Sequence, residues 1–245
     1  MPLGITFNGR HSSQIPGIVD VTAYNKNLFP DIENDLISVE GMDGVIDNGY
    51  TIKEQYIPVT FRHQGNTIPD YFKKAEDIAK WLNTKTVKPL VLDALPNRIY
   101  MARISEAVDP ERIAARSTFT VNFIVPSGLG DGAQITQTIK RKQVYQCNGN
   151  YETYPSFTIT IKEALEYLNL IHLETGKFIL INRPFAANDI ITIDMKTRKI
   201  MLNGVTDLRK YLDHEADYFT IEDSYSFDMN GSLSTITMVY VERWL

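Results

Sequence analysis

The chain has 245 residues, 43% of them hydrophobic, 22% charged and 11% aromatic, with a formal charge of −5, a length that suits two compact units with substantial cores. No apolar run approaches the roughly 20 residues of a membrane span, and Met1-Pro2-Leu3-Gly4 does not begin a signal peptide. Cys147 is the one cysteine, which excludes an intrachain disulfide framework and any multi-cysteine metal site, and an acidic balance without a basic block argues against a conventional nucleic-acid binder.

In chain order, Leu36-Ile37-Ser38-Val39-Glu40 reads as a strand running into the turn Gly41-Met42-Asp43-Gly44, with Val45-Ile46 resuming beyond it. Gln55 to Phe61 alternates around Tyr56, Ile57, Val59 and Phe61, and Pro58 within it suggests an edge or a bulge. From Pro69 to Leu82 the period changes. Tyr71, Ala75, Ile78 and Leu82 follow i, i+4, i+7, i+11, with Phe72 and Ala79 widening the stripe, so a helix is predicted with Thr67 as its cap. Strands resume at Leu90-Val91-Leu92, at Tyr100-Met101-Ala102-Arg103-Ile104 and over Phe119 to Val125.

Pro126 to Ala133 holds three glycines and a proline near mid-chain, and reads as a flexible linker between units 1–133 and 134–245. Beyond it Phe157, Ile159 and Ile161 alternate with threonines. Lys162 to Leu168 could form a short helix on propensity alone, whereas Tyr167 to Leu173 has strand content. Glu174-Thr175-Gly176-Lys177 reads as a hairpin turn into Phe178-Ile179-Leu180-Ile181. Ile190 to Asp194 pairs naturally with Lys199 to Leu202, Asn203-Gly204 marks a turn, and Phe219 to Tyr225 and Leu233 to Val241 supply two more strands. Turn signals every 8–12 residues point to an antiparallel β-sandwich.

No motif positions reactive groups. His11, His63, His172 and His214 lie far apart in sequence, and no zinc, nucleophile-elbow or phosphate-loop pattern occurs. Gly128-Leu129-Gly130-Asp131-Gly132 has the glycines of a phosphate cradle but introduces no helix, so it lacks the amides that would bind the anion. Asp213-His214-Glu215-Ala216-Asp217 is the densest set of oxygen ligands, in a spacing that a polar loop explains as well. Asp43 and Asp47 suit turn chemistry among glycines. Cys147 reads as a structural thiol, Trp81 as packed against the sheet and Trp244 as an anchor for the C-terminus. Tyr218 and Tyr225 are candidates for stacking on sugar rings by residue type. No catalytic site, cofactor or metal is expected.

The order of these elements resembles the distal tail protein family of siphovirus-type bacteriophages. The resemblance rests on Phe7-Asn8-Gly9, Val39-Glu40-Gly41-Met42-Asp43-Gly44, Ile78-Ala79-Lys80-Trp81-Leu82 and Phe119-Thr120-Val121-Asn122-Phe123. In the second half it rests on Gly149-Asn150 with Thr153-Tyr154-Pro155, on Asp189 to Asp194 with Asn203-Gly204, and on Arg243-Trp244-Leu245. It implies a mainly β chain: an N-terminal tail-tube-like β-sandwich with one α-helix, then a C-terminal galectin-like antiparallel β-sandwich. It also implies a homo-hexameric ring in the virion tail tip, made in the host cytoplasm. The implied partners are the tail tube protein, the tail-associated protein and receptor-binding or other baseplate proteins, with DNA passing through the channel without specific binding and no membrane insertion. A closed ring requires two different patches per subunit meeting head to tail. The alternative reading is a carbohydrate-binding module contributing to host-surface recognition.

Overall fold

The computed structural model describes residues 3–106, 108, 111–231 and 234–245. Met1, Pro2 and Leu233 lie outside the described residues. The chain divides into two units, Met1–Asp131 with Leu245, and Gly132–Trp244.

The first unit contains β1 (Ile5–Phe7), β2 (Arg10–His11), β3 (Ile18–Tyr24), β4 (Ile32–Ile37), β5 (Ile46–Ile52) and β6 (Gln55–Gln64). The helix α1 (Ile68–Leu82) follows, then β7 (Lys88–Leu92), β8 (Tyr100–Ile104), β9 (Glu111–Ile113) and β10 (Arg116–Val125). The main sheet is antiparallel in the order β2-β1-β7-β8-β10-β6-β3, with β9 added to β10. A bridge between Leu3 and Val21 brings the start of the chain onto β3, so the sheet curls towards closure.

Register and pattern agree in this sheet. Phe119, Val121 and Phe123 lie directly opposite Phe61, Val59 and Ile57, which puts six buried apolar side chains on one face. The helix starts where Thr67, in extended backbone, accepts a hydrogen bond from the Asp70 amide at 3.3 Å, with Pro69 in the first turn. It buries Tyr71, Ile78, Trp81 and Leu82. Trp81 meets Phe7 and Phe61 edge to face at 6.1 and 6.0 Å and donates its indole N–H to the Phe7 carbonyl at 2.9 Å. Each such buried ring contributes on the order of 1.5–3 kcal/mol by area alone.

Three expectations are corrected in this unit. Phe72 is 52% exposed and Ala79 is also exposed, so the apolar stripe of α1 is narrower than predicted. Pro58 sits in a strand paired on both sides, not at an edge. It is tolerated because it lies just past the end of β3. There its carbonyl accepts from the Asn25 amide at 3.2 Å, and its missing N–H leaves only the acceptor of exposed Asn25 to water. The glycine-rich run is a turn followed by a strand, β11 (Gly130–Ile139), and not a flexible linker. Gly128, at φ +68° and buried, packs so closely against Lys53 and Ile52 that a Cβ would collide with both.

The second unit continues β11 and adds β12 (Tyr145–Gln146), β13 (Ser156–Thr160), β14 (Leu168–His172), β15 (Phe178–Ile181) and β16 (Ile190–Asp194). The remaining strands are β17 (Lys199–Leu202), β18 (Thr206–Asp207), β19 (Ser224–Tyr225), β20 (Phe227–Met229) and β21 (Thr235–Trp244). One sheet runs β11-β21-β13-β16-β17-β18, the other β15-β14-β20, with β12 and β19 paired beside them. Phe157 and Ile159 face Ile193 and Ile191 on one side and Met238 and Ile236 on the other. On the opposing sheet Leu168 and Leu170 face Ile181 and Ile179, and Leu170 and His172 face Met229 and Phe227. All belong to one buried cluster or stand within it, which makes this unit an antiparallel β-sandwich.

Two further corrections fall here. Lys162 to Leu168 forms no helix; it passes through bends and the Leu165–Phe185 bridge into β14. The stretch expected as one strand over Phe219 to Tyr225 is an isolated bridge at Ile221 followed by the two-residue β19.

Candidate interaction surfaces

Each of the four histidines has its own local partners. His11 sets its Nε2 3.1 Å from Asp93 Oδ2 at the N-terminal edge. His63 is buried and stacks on Tyr71 at 4.3 Å, and burial, with Lys74 adding to it, pushes its pKa down. His172 is buried in the sandwich, stacked on Phe219 at 5.1 Å, with Nδ1 2.7 Å from Thr175 Oγ1 and Nε2 3.3 Å from Glu174 Oε2. Glu174 in turn accepts from the Ser226 amide and hydroxyl at 2.8 and 2.7 Å, which ties the residue between β19 and β20 to the hairpin turn. His214 is exposed.

The other sequence candidates serve local structure. Asp213 accepts from the Glu215 amide at 3.0 Å and the Asn182 amide nitrogen at 3.0 Å, and these bonds hold its pKa below the usual carboxylate range. Asp217 pairs with Lys177 at 2.9 Å. Among the described residues no group of three or more His, Cys, Asp or Glu is placed to hold a metal ion. Asp47 caps its own turn by accepting from the Gly49 amide at 2.8 Å. Cys147 is buried, and burial pushes its thiol pKa up. Trp244 ends β21, beside Gly132. Tyr225 is 1% exposed with its hydroxyl 3.3 Å from that of Tyr240, so it presents no face to a sugar. Tyr218 is half-buried, donates to the Arg198 carbonyl at 3.2 Å and lies under the Arg198 guanidinium.

What stands out is β4 and β5. They form a two-stranded sheet of their own, and residues 31–51 are exposed throughout. Ile32 pairs with Ile52 and Asn34 with Tyr50; beyond a bulge, Leu36 pairs with Asp47 and Ile37 with Ile46. At the base Lys53 pairs with Glu33, and the Lys53 amide donates to the Asp31 carbonyl at 2.7 Å. The turn Gly41 to Gly44 was legible in sequence; the exposure of the whole excursion was not. Its sign is compositional, because residues 31–52 hold six carboxylates and no Lys or Arg. A groove of about 500 Å³ also opens beneath α1, lined by Ala75, Ile78, Leu82, Ile104 and Phe119 among others.

Comparison with known proteins decides the family. Residues 13–125 match the model of a phage tail protein RIFT-related domain, and residues 148–244 match that of a siphovirus-type tail component, C-terminal domain. The chain belongs to the distal tail protein family of siphovirus-type phages. The fold agrees over the full length of both chains with the crystal structure of SPP1 Dit (gp 19.1), described as a paradigm of the hub adsorption apparatus in phages infecting Gram-positive hosts. The TM-score is 0.79 and the identity 16%. Two structures of the phage P2 baseplate in its activated conformation, with Ca and with Sr, align over 97% of each chain at 11% identity, with TM-scores of 0.44 and 0.43. No curated protein matches the sequence. As a distal tail protein the chain is a structural component of the phage tail and baseplate hub.

Proposed function

We propose that this distal tail protein forms a hexameric ring at the tail tip that joins the tail tube to the tail-associated protein and the adhesion apparatus, and lets DNA pass through its centre. The observation that carries the reading is the full-length fold match to SPP1 Dit, together with the two tail-protein family matches over residues 13–125 and 148–244. The N-terminal unit is the ring-forming, tail-tube-like part. The C-terminal sandwich is the galectin-like part on which other baseplate proteins dock, and fold likeness to galectin does not make it a sugar binder. The role is structural rather than catalytic.

Light scattering after size exclusion, with negative-stain images of the same fractions, tests it. The expected particle is about six times 27.9 kDa, or two such rings stacked, with an open centre. A chain that stays monomeric at every concentration, or a compact dimer without an opening, contradicts it.

A further inference from the structure

We infer that the hairpin of β4 and β5 is an assembly arm, and that it docks on the remainder of the N-terminal unit of a second copy of this chain. The inference rests on the ring reading and names the part of the chain that makes the ring contact. A lone two-stranded hairpin is marginally stable in water, and this one adds no strand to the main sheet. It nevertheless presents Ile32, Leu36, Ile37, Met42, Ile46 and Tyr50, each between 43 and 59% exposed. Exposed apolar side chains at this density, spread over both faces of a hairpin whose outer strand edges pair with no other strand among the described residues, mark a surface that is covered in the working protein.

Charge says what covers it. The chain has 25 Lys+Arg and 30 Asp+Glu; six of those carboxylates, Asp31, Glu33, Asp35, Glu40, Asp43 and Asp47, lie in residues 31–52. The remainder of the chain has 25 cations against 24 carboxylates, so the arm holds all of the net negative charge. Within residues 1–131, the part outside the arm has 13 Lys+Arg against 10 Asp+Glu, a net charge of +3. Two arms of −6 meeting face to face would repel, so a symmetric arm-to-arm contact is disfavoured. An arm meeting the basic remainder of a neighbouring N-terminal unit is complementary. That contact is head to tail, with different patches on the two copies, which is the kind a closed ring needs.

The test uses the full chain and three variants. Leu36→Ser, Ile37→Ser and Ile46→Ser together remove apolar surface from the exposed hairpin; Asp35→Asn, Glu40→Gln and Asp43→Asn together remove charge; Met42→Cys introduces a reactive thiol, since Cys147 is buried. The serine variant is expected to keep the wild-type circular dichroism and to associate at least about tenfold more weakly by light scattering. Wild-type association should weaken as salt rises, and the charge variant should lose most of that dependence. Maleimide labelling of Met42→Cys should be fast in the monomer and slowed in the assembly. This readout decides the matter even if the serine variant fails to fold. A wild-type ring together with a serine variant that assembles equally well, or a Met42→Cys thiol labelled equally fast in both states, overturns the arm and leaves the ring reading standing. A wild-type chain that never exceeds one copy overturns both.

Discussion

The two units of the chain treat their apolar strands differently. In the C-terminal sandwich β13, β14, β16 and β20 turn their apolar side chains onto one core, where Phe157, Phe219 and Phe227 meet within 5.1–6.1 Å. The N-terminal unit has a comparable core around Phe7, Phe61, Phe123 and Trp81, yet it also sends out β4 and β5 with their apolar side chains in water. Isoleucine is the commonest large apolar residue in both settings, so residue type does not distinguish them. What differs is whether the chain itself supplies the covering surface. The sandwich supplies its own cover, and in the assembly proposed above the arm takes its counterpart from a second copy.

That contrast can be broken most forcefully in the sandwich core. Phe227→Ala removes a fully buried ring that packs on Phe157 at 5.1 Å, and should cost about 3–5 kcal/mol in denaturant unfolding of the C-terminal unit. His172 sharpens it through pH. Burial holds its pKa below 6.5, with Lys177 adding to the shift and Glu174 opposing it, so the unfolded chain binds this proton more readily than the folded one. The stabilisation by the neutral ring is complete above pH of about 6.5 and is lost as pH falls through that value towards the lowered folded pKa. His172→Phe, which can keep the stack on Phe219, should flatten the decline of melting temperature on acidification. Residual slope is expected from His63, whose pKa is lowered in the same direction.

In the N-terminal unit Thr67→Ala removes the α1 cap and should cost about 1 kcal/mol, read as a lower denaturant midpoint at unchanged slope. The smallest effect belongs to the arm. Leu36→Ser in the monomer should change stability by less than about 0.5 kcal/mol, although it is a large apolar residue, because it is 51% exposed. A loss comparable to that of Phe227→Ala would show that the arm is part of the N-terminal core.

Much of the fold could be read from the sequence where local pattern and tertiary outcome coincide. Tyr100–Ile104, Ile190–Asp194 and Lys199–Leu202 are strands with the bounds that alternation and turn residues indicate. The helix was marked by its stripe together with the threonine and proline at its start. Several of the misses share a cause, which is that the deciding partner is distant in sequence. Pro58 occupies a strand paired on both sides because β3 stops one residue short of it. Gly128 is fixed by the Lys53 carbonyl and Ile52 packed against it, and from Gly130 the chain is already the strand β11. Phe219 to Tyr225 breaks up although its residues favour strands. The arm illustrates the same limit. Leu36, Ile37 and Ile46 mark a hairpin correctly, but whether a hairpin is buried depends on what lies over it, and periodicity does not report that. The concentration of carboxylates between Asp31 and Asp47 was the sign that this one faces water or a charged partner.

Hydrogen exchange of the monomer and of the assembled particle tests the contrast most directly. The account predicts that amides of residues 31–52 exchange quickly in the monomer and are strongly protected in the particle, while β13, β14 and β16 are protected equally in both. An arm that exchanges as fast in the particle as in the monomer would contradict it.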